Sequence, residues 1–335
     1  MSAVRSDGAV HGTVGILTYR RPEELARSLP LVFRQVRAVN TDPTMLAHVD
    51  VLIVDNDPAA GAADVVAAMR AAEAAQDPPT VVRYVVEPRP GIAAARNRAL
   101  DESEGSRLLL FIDDDEVPTP GWLAALLETW RGSGAAAVMG RVVSEFDVQP
   151  DEWVEAGDFF RRRSMPSGTE IEIAAAGNLL LDLDRVRARG VRFDERLGLA
   201  GGEDTLFSRS LRRAGERIIW CEESVAVDRV PAERLEHSWL ARRSFHKGNA
   251  EVSIRLLDAT GPWARALVRT RAAVGGTARI VVGGGRILLG RVTGSLRHQA
   301  HGTKLAERGR GMAASSVGRV RAQYHRGAEP TEPAS

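Results

Sequence analysis

Cysteine, net charge and long apolar runs are all scarce in this sequence. The single cysteine among 335 residues, Cys221, excludes an intramolecular disulfide and any metal site built from several cysteines. The 45 Lys and Arg residues nearly balance the 44 Asp and Glu residues, and a net charge of +1 excludes the global positive field of a nucleic-acid-binding protein. The first ten residues lack the apolar stretch of a secretory signal, and no run of about 18 uninterrupted apolar residues occurs. We therefore expect a cytoplasmic protein without a membrane span or a nucleic-acid partner.

Length and hydrophobic periodicity indicate an α/β protein. A chain of 335 residues is long for one compact unit, and two units of roughly 150 residues are the expectation. In the first half, uniformly apolar runs alternate with alanine-rich helical stretches, and the predicted strands are residues 14–18, 49–54, 81–86 and 108–112. Uniformly apolar strands separated by helices are typical of a mostly parallel sheet that is covered by helices.

Polar and acidic side chains follow directly after these strands. The segments found there are Thr18–Tyr19–Arg20, Asp55–Asn56–Asp57, Glu87–Pro88 and Asp113–Asp114–Asp115. In open parallel sheets, ligands bind beyond the carboxyl ends of the strands. We therefore expect these segments to meet at one edge of the sheet and to form a binding site there.

The acidic triplet from Asp113 to Asp115 is the sharpest feature of the sequence. Adjacent carboxylates repel one another unless a cation or hydrogen-bond donors offset their charge. Mg²⁺ and Mn²⁺ prefer oxygen ligands and commonly bridge to substrate phosphates. A solvated acidic turn is the alternative, but the position after a buried strand favours a metal site.

Other candidates are weaker, and each has a structural alternative. Asp55 fits a contact to a base or ribose as well as ordinary turn chemistry. Arg96 fits an anion contact as well as a surface position. Glu203 and Asp204 follow two glycines where a helix begins, so that Asp204 fits a general base or an N-cap. Asp228 fits a further metal ligand or a loop acid paired with its neighbour.

The pattern loosens after residue 145. Residues 149–169, which include the run Arg161–Arg162–Arg163, predict a long loop or a small subdomain. Residues 259–306 contain eight basic residues and no Asp or Glu. Such a stretch either lies on an anionic membrane surface or forms a helical appendage with its arginines in solvent, and both interpretations are open. Glycines at positions 275, 276 and 283–285 are expected to weaken any continuous helix there.

Seven segments, taken in order, resemble the family 2 glycosyltransferases. They are ILTYRRPEEL, VLIVDNDP, EPRPGIAAARNRAL, LLLFIDDDEVPTPGWLAAL, GNLLLDLDRV, GGEDTLFSRSL and VPAERLEHSWLARRSFHKG. The resemblance covers about residues 12–250. It implies a GT-A fold and inverting transfer of a sugar from a nucleotide-sugar donor.

The resemblance also implies roles for particular residues. It makes Asp204 the catalytic base with Glu203 beside it. Asp113 and Asp115 match the outer carboxylates of the DxD motif, which binds the ribose side and a Mn²⁺ or Mg²⁺ held by the diphosphate. Relatives often have a histidine metal ligand where this chain has Asp228, so its ligand role is left open. The remaining assignments are the donor-binding residues Thr18, Tyr19, Arg20, Asp55, Arg96, Asp113 and Asp114 and the acceptor-side residues Gly177, Asn178, Gly202 and Trp239.

The expected domain organisation has a central GT-A domain, whose first half binds the nucleotide and whose second half binds the acceptor. The segments are a flexible N-terminus (1–11), the GT-A domain (12–255, with halves of about 12–145 and 146–255), a basic helical C-terminal region (256–327) and a disordered tail (328–335).

The expected reaction moves a sugar from a UDP-, GDP- or dTDP-sugar to a hydroxyl of a glycan, glycolipid or other acceptor. Arg161–Arg162–Arg163 and the basic C-terminal region suggest an anionic or lipid-linked acceptor and peripheral contact with the cytoplasmic membrane. Two alternatives are a sugar-nucleotide pyrophosphorylase-like nucleotidyltransferase and a non-catalytic glycosyltransferase-like binding protein. The first would need a glycine-rich loop after the first strand, where this chain has residues 18–22, TYRRP.

Overall fold

A computed structural model describes residues 9–197 and 201–319. Most of the predicted flexible N-terminus, the end of the basic C-terminal region and the whole predicted tail lie outside these residues.

Eight strands form one mixed sheet in this part of the chain, in the order β3-β2-β1-β4-β7-β6-β8-β5. The strands are β1 (Val10–Thr18), β2 (Ala47–Asp55), β3 (Val82–Val86), β4 (Leu108–Asp113), β5 (Glu116–Pro118), β6 (Ala137–Phe146), β7 (Asn178–Asp182) and β8 (Ile218–Val230). Strands β3, β2, β1 and β4 run parallel, as do β6 and β8, whereas β7 is antiparallel to both its neighbours and β5 to β8. The predicted α/β class is confirmed, and the first four strands provide the fully parallel half.

The described residues form eleven α-helices, and several of those in the first two thirds of the chain cover both faces of the sheet. The helices are α1 (Pro22–Thr41), α2 (Ala63–Ala74), α3 (Ile92–Glu102), α4 (Trp122–Ser133), α5 (Glu152–Ala156), α6 (Leu183–Ala188), α7 (Glu203–Arg213), α8 (Ala232–Leu235), α9 (His237–Asp258), α10 (Pro262–Thr293) and α11 (Leu296–Ser316). One core layer packs α1 and α4 on the sheet, and the other packs α3, α6 and α7. The central strand β4 is buried on both faces because its residues are uniformly apolar up to Asp113.

The long strand β8 is continuous although two adjacent acidic residues lie within it. Strand β8 extends from Ile218 to Val230 and pairs with β6 along its length. The acidic residues Glu222 and Glu223 suggest a break, but the pairing only shifts register opposite Gly140 and Arg141 and then continues. The pairing brings Asp228 into the sheet, opposite Glu116 of β5.

Contacts divide the chain into two compact units. The first unit contains the sheet and consists of residues 1–149, 160–196 and 203–232. The second unit consists of residues 150–159, 197–202 and 233–335, so that the segment around α5 joins the C-terminal helices. The region predicted as one long loop is therefore shared between the two units.

Helices α10 and α11 form a close-packed pair in the second unit, and α10 is continuous over 32 residues despite its glycines. The glycines were expected to weaken a continuous helix, but the helix is continuous, and two of them, Gly276 and Gly283, form part of its contact surface with α11. A Cβ atom on Gly276 would lie 2.8 Å from the Gly309 carbonyl oxygen, and one on Gly283 would lie 2.6 Å from the Ala306 nitrogen. The small residues thus let the two backbones approach, and the packing offsets the low helix propensity of glycine.

Helix α10 also passes a test for a membrane span that was not expected from the sequence. An 18-residue window has a mean hydropathy of 1.3 with at most two charged residues, and only 17% of that window is buried. By its length and its composition, α10 could therefore cross a membrane, and no other observation enters this assignment. Isolated arginines interrupt the apolar run, and for that reason no uninterrupted stretch was visible in the sequence.

Candidate active site

The carboxyl ends of β2, β1 and β4 lie side by side, as the sequence pattern predicts. The parallel register places Thr18 opposite Asp55 and Leu17 opposite Asp113. The three segments that follow these strands therefore share one edge of the sheet.

The middle carboxylate of the acidic triplet is held by the segment after β1. Asp114 accepts hydrogen bonds from the Thr18 hydroxyl (2.9 Å) and from Arg21 Nη1 (3.2 Å). The same guanidinium nitrogen donates to Asp115 Oδ2 at 3.1 Å. Arg21 thus neutralises part of the triplet. The sequence analysis missed this role, although the residue directly follows the Thr18–Tyr19–Arg20 segment.

A second group of carboxylates surrounds Gly177, which lies just before β7. A Cβ atom on Gly177 would lie 2.8 Å from Asp113 Oδ2 and 3.0 Å from Glu116 Oε1. Glu116 is paired in register with Asp228 through β5 and β8. Asp113, Glu116 and Asp228 come from three strands, and Glu116 was not among the predicted site residues. We call Asp113, Asp115, Glu116 and Asp228 the carboxylate cluster.

Burial, together with repulsion between neighbouring carboxylates, raises several pKa values in this region. Burial, together with the charges of Asp115, Asp204 and Asp228, raises the pKa of Asp113 to about 6 against the opposing effect of Arg96. Burial raises the pKa of Asp114 to about 7, although Arg21 opposes it. Burial and the neighbouring carboxylates raise the pKa of Glu116 well above its ordinary value. The buried carboxylates of this site therefore disfavour one another's charged forms.

The chemistry of this donor set fits a divalent cation. Among the described residues, no group of three or more His, Cys, Asp or Glu side chains is already arranged to hold a metal ion. Glu116 Oε2 is nevertheless buried without a hydrogen-bond partner, and all four members of the cluster offer oxygen ligands. Mg²⁺ and Mn²⁺ take oxygen ligands and would offset the repulsion that helps to raise these pKa values.

Asp228 is bound by an arginine from the segment between α5 and β7. Arg162 Nη2 donates to Asp228 Oδ2, and Arg162 Nε donates to Ser144 Oγ at 3.1 Å. Arg162 belongs to the basic run singled out in the sequence. The Arg162 guanidinium therefore lies next to Asp228, the position at which the resembled family often has a histidine.

The Glu203–Asp204 pair begins α7 and meets Arg96 of α3. Arg96 Nη1 donates to Glu203 Oε1 at 2.5 Å and to Asp204 Oδ1 at 2.9 Å. Asp204 Oδ2 accepts from the backbone N–H of Ala176 at 3.2 Å. Arg96 is buried, and its guanidinium also lies 5.4 Å from the centre of the Phe193 ring. The alternative interpretation of Arg96 as a surface residue is therefore wrong. Its guanidinium instead holds Glu203 and Asp204 in place at the start of α7.

The two acids of this pair differ in ionisation. Burial and the charge of Asp204 raise the pKa of Glu203 to about 8. Burial also acts to raise the pKa of Asp204, but Arg96 and hydrogen bonds from Glu203 and Ala176 hold it below its ordinary value. At neutral pH, Glu203 is mostly protonated and Asp204 is a carboxylate. Only Asp204 can then accept a proton.

The predicted nucleoside side of the edge is internally hydrogen-bonded. Asp55 is fully buried and accepts from the backbone N–H groups of Asp57 and Ala62 (both 2.9 Å) and from the Tyr84 hydroxyl (2.8 Å). Arg20, with a φ of 53°, donates from Nε to Asp57 at 3.1 Å, and its guanidinium lies over the Tyr19 ring. These contacts make this part of the edge rigid.

The predicted acceptor-side residues are dispersed. Asn178 is fully buried in β7, where its side chain accepts from Trp122 Nε1 (2.9 Å) and donates to two backbone carbonyls. Its amide thus holds the sheet together. Gly177 lines the carboxylate cluster, whereas Gly202 and Trp239 lie in the second unit. In that unit, Gly202, with a φ of 96°, packs against Ile254 of α9, and Arg243 lies over the Trp239 ring.

Comparisons with known proteins identify the family. Residues 13–202 match the model of the Glycosyl transferase family 2. The succinoglycan biosynthesis protein ExoM of Rhizobium meliloti (strain 1021) is 37% identical over 239 residues, which are 71% of this chain and 73% of ExoM. The glucosyl-dolichyl phosphate glucuronosyltransferase of Haloferax volcanii is 25% identical over 55% of this chain and 61% of its own length.

A solved structure shares the fold. The mannosyltransferase PcManGT from Pyrobaculum calidifontis, in complex with GDP-Man and Mn²⁺, superposes with a TM-score of 0.56 at 19% identity. The match covers 90% of this chain and 86% of PcManGT. The GT-A-type fold and the family expected from the seven sequence segments are thereby confirmed. This chain belongs to the Glycosyl transferase family 2 and is a glycosyltransferase.

Proposed function

We propose that this glycosyltransferase moves a sugar, with inversion, from a nucleotide diphosphate sugar to a hydroxyl of a glycan or lipid-linked acceptor. The observation that supports the proposal is that two adjacent residues before β7 contact both acidic groups. The Ala176 N–H donates to Asp204 at 3.2 Å, and a Cβ atom on Gly177 would lie 2.8 Å from Asp113 Oδ2 of the carboxylate cluster. Membership of a glycosyltransferase family favours transfer over the nucleotidyltransferase and non-catalytic alternatives.

The donor lies along the edge formed by β2, β1 and β4 in this proposal. The Thr18–Tyr19–Arg20 segment lines its nucleoside end, and the buried Asp55 holds the backbone of the neighbouring loop in place. The internal hydrogen bonds of Asp55 order this part of the site before the donor binds. Binding then does not include the entropic cost of ordering these residues. PcManGT binds GDP-Man, which supports a nucleotide sugar as the donor without fixing the base.

Asp113, Asp115, Glu116 and Asp228 would hold the divalent metal, and Mn²⁺ in the PcManGT complex supports this assignment. When bound, such an ion acts as a Lewis acid that stabilises negative charge on a leaving diphosphate. Glycine at position 177 leaves room beside Asp113 and Glu116 that any Cβ would fill. Arg162 adds a positive charge at Asp228, where the family often has a histidine.

Asp204 is the base in the proposed reaction. The acceptor hydroxyl oxygen attacks the anomeric carbon, and its proton passes to the Asp204 carboxylate. The bond between the anomeric carbon and the phosphate oxygen breaks on the opposite side, and its electron pair leaves with the nucleoside diphosphate. Arg96 and the Ala176 N–H hold the carboxylate in one orientation before the acceptor arrives. Fixed orientation of this kind supplies much of the rate in bimolecular reactions.

The acceptor is proposed from charge and from the relatives. ExoM is named for succinoglycan biosynthesis, and the Haloferax enzyme is named for a dolichyl phosphate-linked sugar. Arg161 and Arg163 are exposed in the loop that also carries Arg162. Guanidinium groups bind phosphates well, which fits an acceptor carried on a lipid phosphate or diphosphate.

A thermal-shift panel tests the proposed donor. The protein is heated with UDP-, GDP- and dTDP-sugars, each with and without Mn²⁺. We expect one nucleotide class to stabilise the protein only when Mn²⁺ is present, by about 2.7 kcal/mol at a hundredfold excess over Kd. Stabilisation that is equal with and without Mn²⁺, or that free sugars reproduce, would contradict the proposed diphosphate site.

A further inference from the structure

Helix α10 carries an exposed apolar face. Among the described residues, twelve large apolar side chains are exposed, and eight of them lie on α10 with exposed fractions of 48–88%. Six of the eight lie in one row along the helix axis. We call this row the apolar stripe, and its members are Trp263, Leu267, Val274, Val281, Leu288 and Val292. Scattered exposed apolar residues are ordinary, but a concentration on one helix marks an interaction surface.

The stripe lies opposite the side of α10 that contacts α11. Its members are spaced by four or seven residues, so at about 100° per residue they fall within an arc of about 60°. Gly276, Gly283 and Gly290, which are buried against α11, also repeat every seven residues and lie about 180° from the stripe. Packing between the helices therefore uses one side of α10 and leaves the other without a partner in the described residues.

The charge around the stripe is of one sign. Eight Arg and Lys residues and no Asp or Glu lie between residues 259 and 306. Arg271 lies on one side of the stripe, about 70° from its centre, and Arg291 lies on the other side at about 90°. Both are exposed. Long basic side chains next to an apolar stripe can extend to phosphate groups while the stripe is buried.

We propose that α10 binds the surface of an anionic lipid bilayer, with its axis in the membrane plane and the apolar stripe inserted below the headgroups. The stripe spans about 44 Å from Trp263 to Val292, and its positive flanks complement acidic headgroups. This proposal does not depend on the donor or acceptor assigned above.

An orientation across the bilayer fits the residues less well. Arg279 and Arg286 lie near the middle of α10, and charged groups at the centre of a bilayer are costly. Helix α11 packs along α10 and carries Lys304 and Arg308, which would enter the hydrocarbon with it. In the plane of the surface, these charges remain at the headgroup level.

Vesicle co-sedimentation of the full chain tests the proposal. We expect the protein to bind vesicles containing phosphatidylglycerol at least about tenfold more tightly than pure phosphatidylcholine vesicles, and high salt to weaken that binding. Val281→Asp combined with Leu288→Asp should weaken binding to the anionic vesicles at least about tenfold. Trp263 is 88% exposed, so bromine-labelled lipids should quench its fluorescence. Comparison with Trp263→Phe separates the quenching of Trp263 from that of the other tryptophans.

Val81→Asp and Val148→Asp are the matched controls, because both valines are about half exposed and lie outside α10. Both variants should bind vesicles like the wild type, and circular dichroism should show that all variants are folded. The proposal is overturned if the wild type does not sediment with anionic vesicles, or if the Val281/Leu288 variant binds as well as the wild type. Resistance to alkaline carbonate extraction would instead indicate a helix that crosses the bilayer. Dimerisation that needs the stripe, without vesicle binding, would make a second copy of the chain its partner.

Discussion

Asp204→Asn is expected to slow sugar transfer by about a thousandfold while donor affinity stays within about threefold of the wild type. Asn has nearly the same shape as Asp, and its single amide oxygen can keep one of the two hydrogen bonds, from Arg96 or from the Ala176 N–H. It cannot take the proton of the attacking hydroxyl. The loss should therefore appear in kcat, measured with the nucleotide sugar that the thermal-shift panel identifies, and hardly in donor binding.

Glu203→Gln provides the matched comparison at the neighbouring position. Because the pKa of Glu203 is raised to about 8, this residue is already mostly neutral at pH 7, and Gln reproduces its uncharged state. Its transfer rate should fall far less than that of Asp204→Asn. If Asp204→Asn retains a rate within about tenfold of the wild type, or if Glu203→Gln is the more damaging change, the base has been assigned to the wrong residue.

Asp115→Asn is expected to remove the metal dependence of donor binding and to lower kcat/KM at least about a hundredfold. Asp115 is one of the two outer carboxylates of the triplet, and its Oδ2 accepts a hydrogen bond from Arg21 Nη1 at 3.1 Å. Loss of its charge should weaken Mn²⁺ binding directly, since Mn²⁺ prefers carboxylate oxygens. Transfer rates measured over a range of Mn²⁺ concentrations would show the effect.

The adjacent Asp114 supplies the control. Its carboxylate is turned toward Thr18 and Arg21, and its pKa is raised to about 7, so that Asn resembles its protonated form. Asp114→Asn should leave the Mn²⁺ dependence intact. A result in which Asp114→Asn loses that dependence and Asp115→Asn keeps it would show that the metal is bound by the middle carboxylate.

The parallel half of the sheet and its binding edge could be predicted from local pattern. Strands such as β4 are uniformly apolar, and a polar residue marks each carboxyl end, so that their positions depend only on short stretches of sequence. The convergence of Asp55 and Asp113 then follows from parallel pairing. No knowledge of distant contacts was needed for these inferences.

The rest of the carboxylate cluster depends on pairings between distant segments. Glu116 and Asp228 are neighbours only because β5 pairs antiparallel with β8, and Arg162 reaches Asp228 from a loop without a periodic pattern. Single-sequence periodicity carries no information about such pairings. For the same reason, the sequence suggested an arginine near the nucleotide at Arg96 but not its bonds to Glu203 and Asp204.

Helix α10 illustrates the opposite case. Its glycines lower helix propensity, and local reasoning therefore predicted a weak helix. Gly276, Gly283 and Gly290 recur every seven residues, however, and close packing against α11 makes small residues favourable at those positions. The seven-residue spacing was visible in the sequence and would have indicated a helical pair.

The anomeric configuration of the product tests the central claim most directly, namely that Asp204 drives a single displacement at the donor sugar. The protein and Mn²⁺ are incubated with an α-linked nucleotide sugar, and proton NMR follows the sugar as it is transferred or released to water. The prediction is that the β anomer forms first, and that Asp204→Asn forms it much more slowly. Initial formation of the α anomer would contradict the single displacement and, with it, the role of Asp204 as its base.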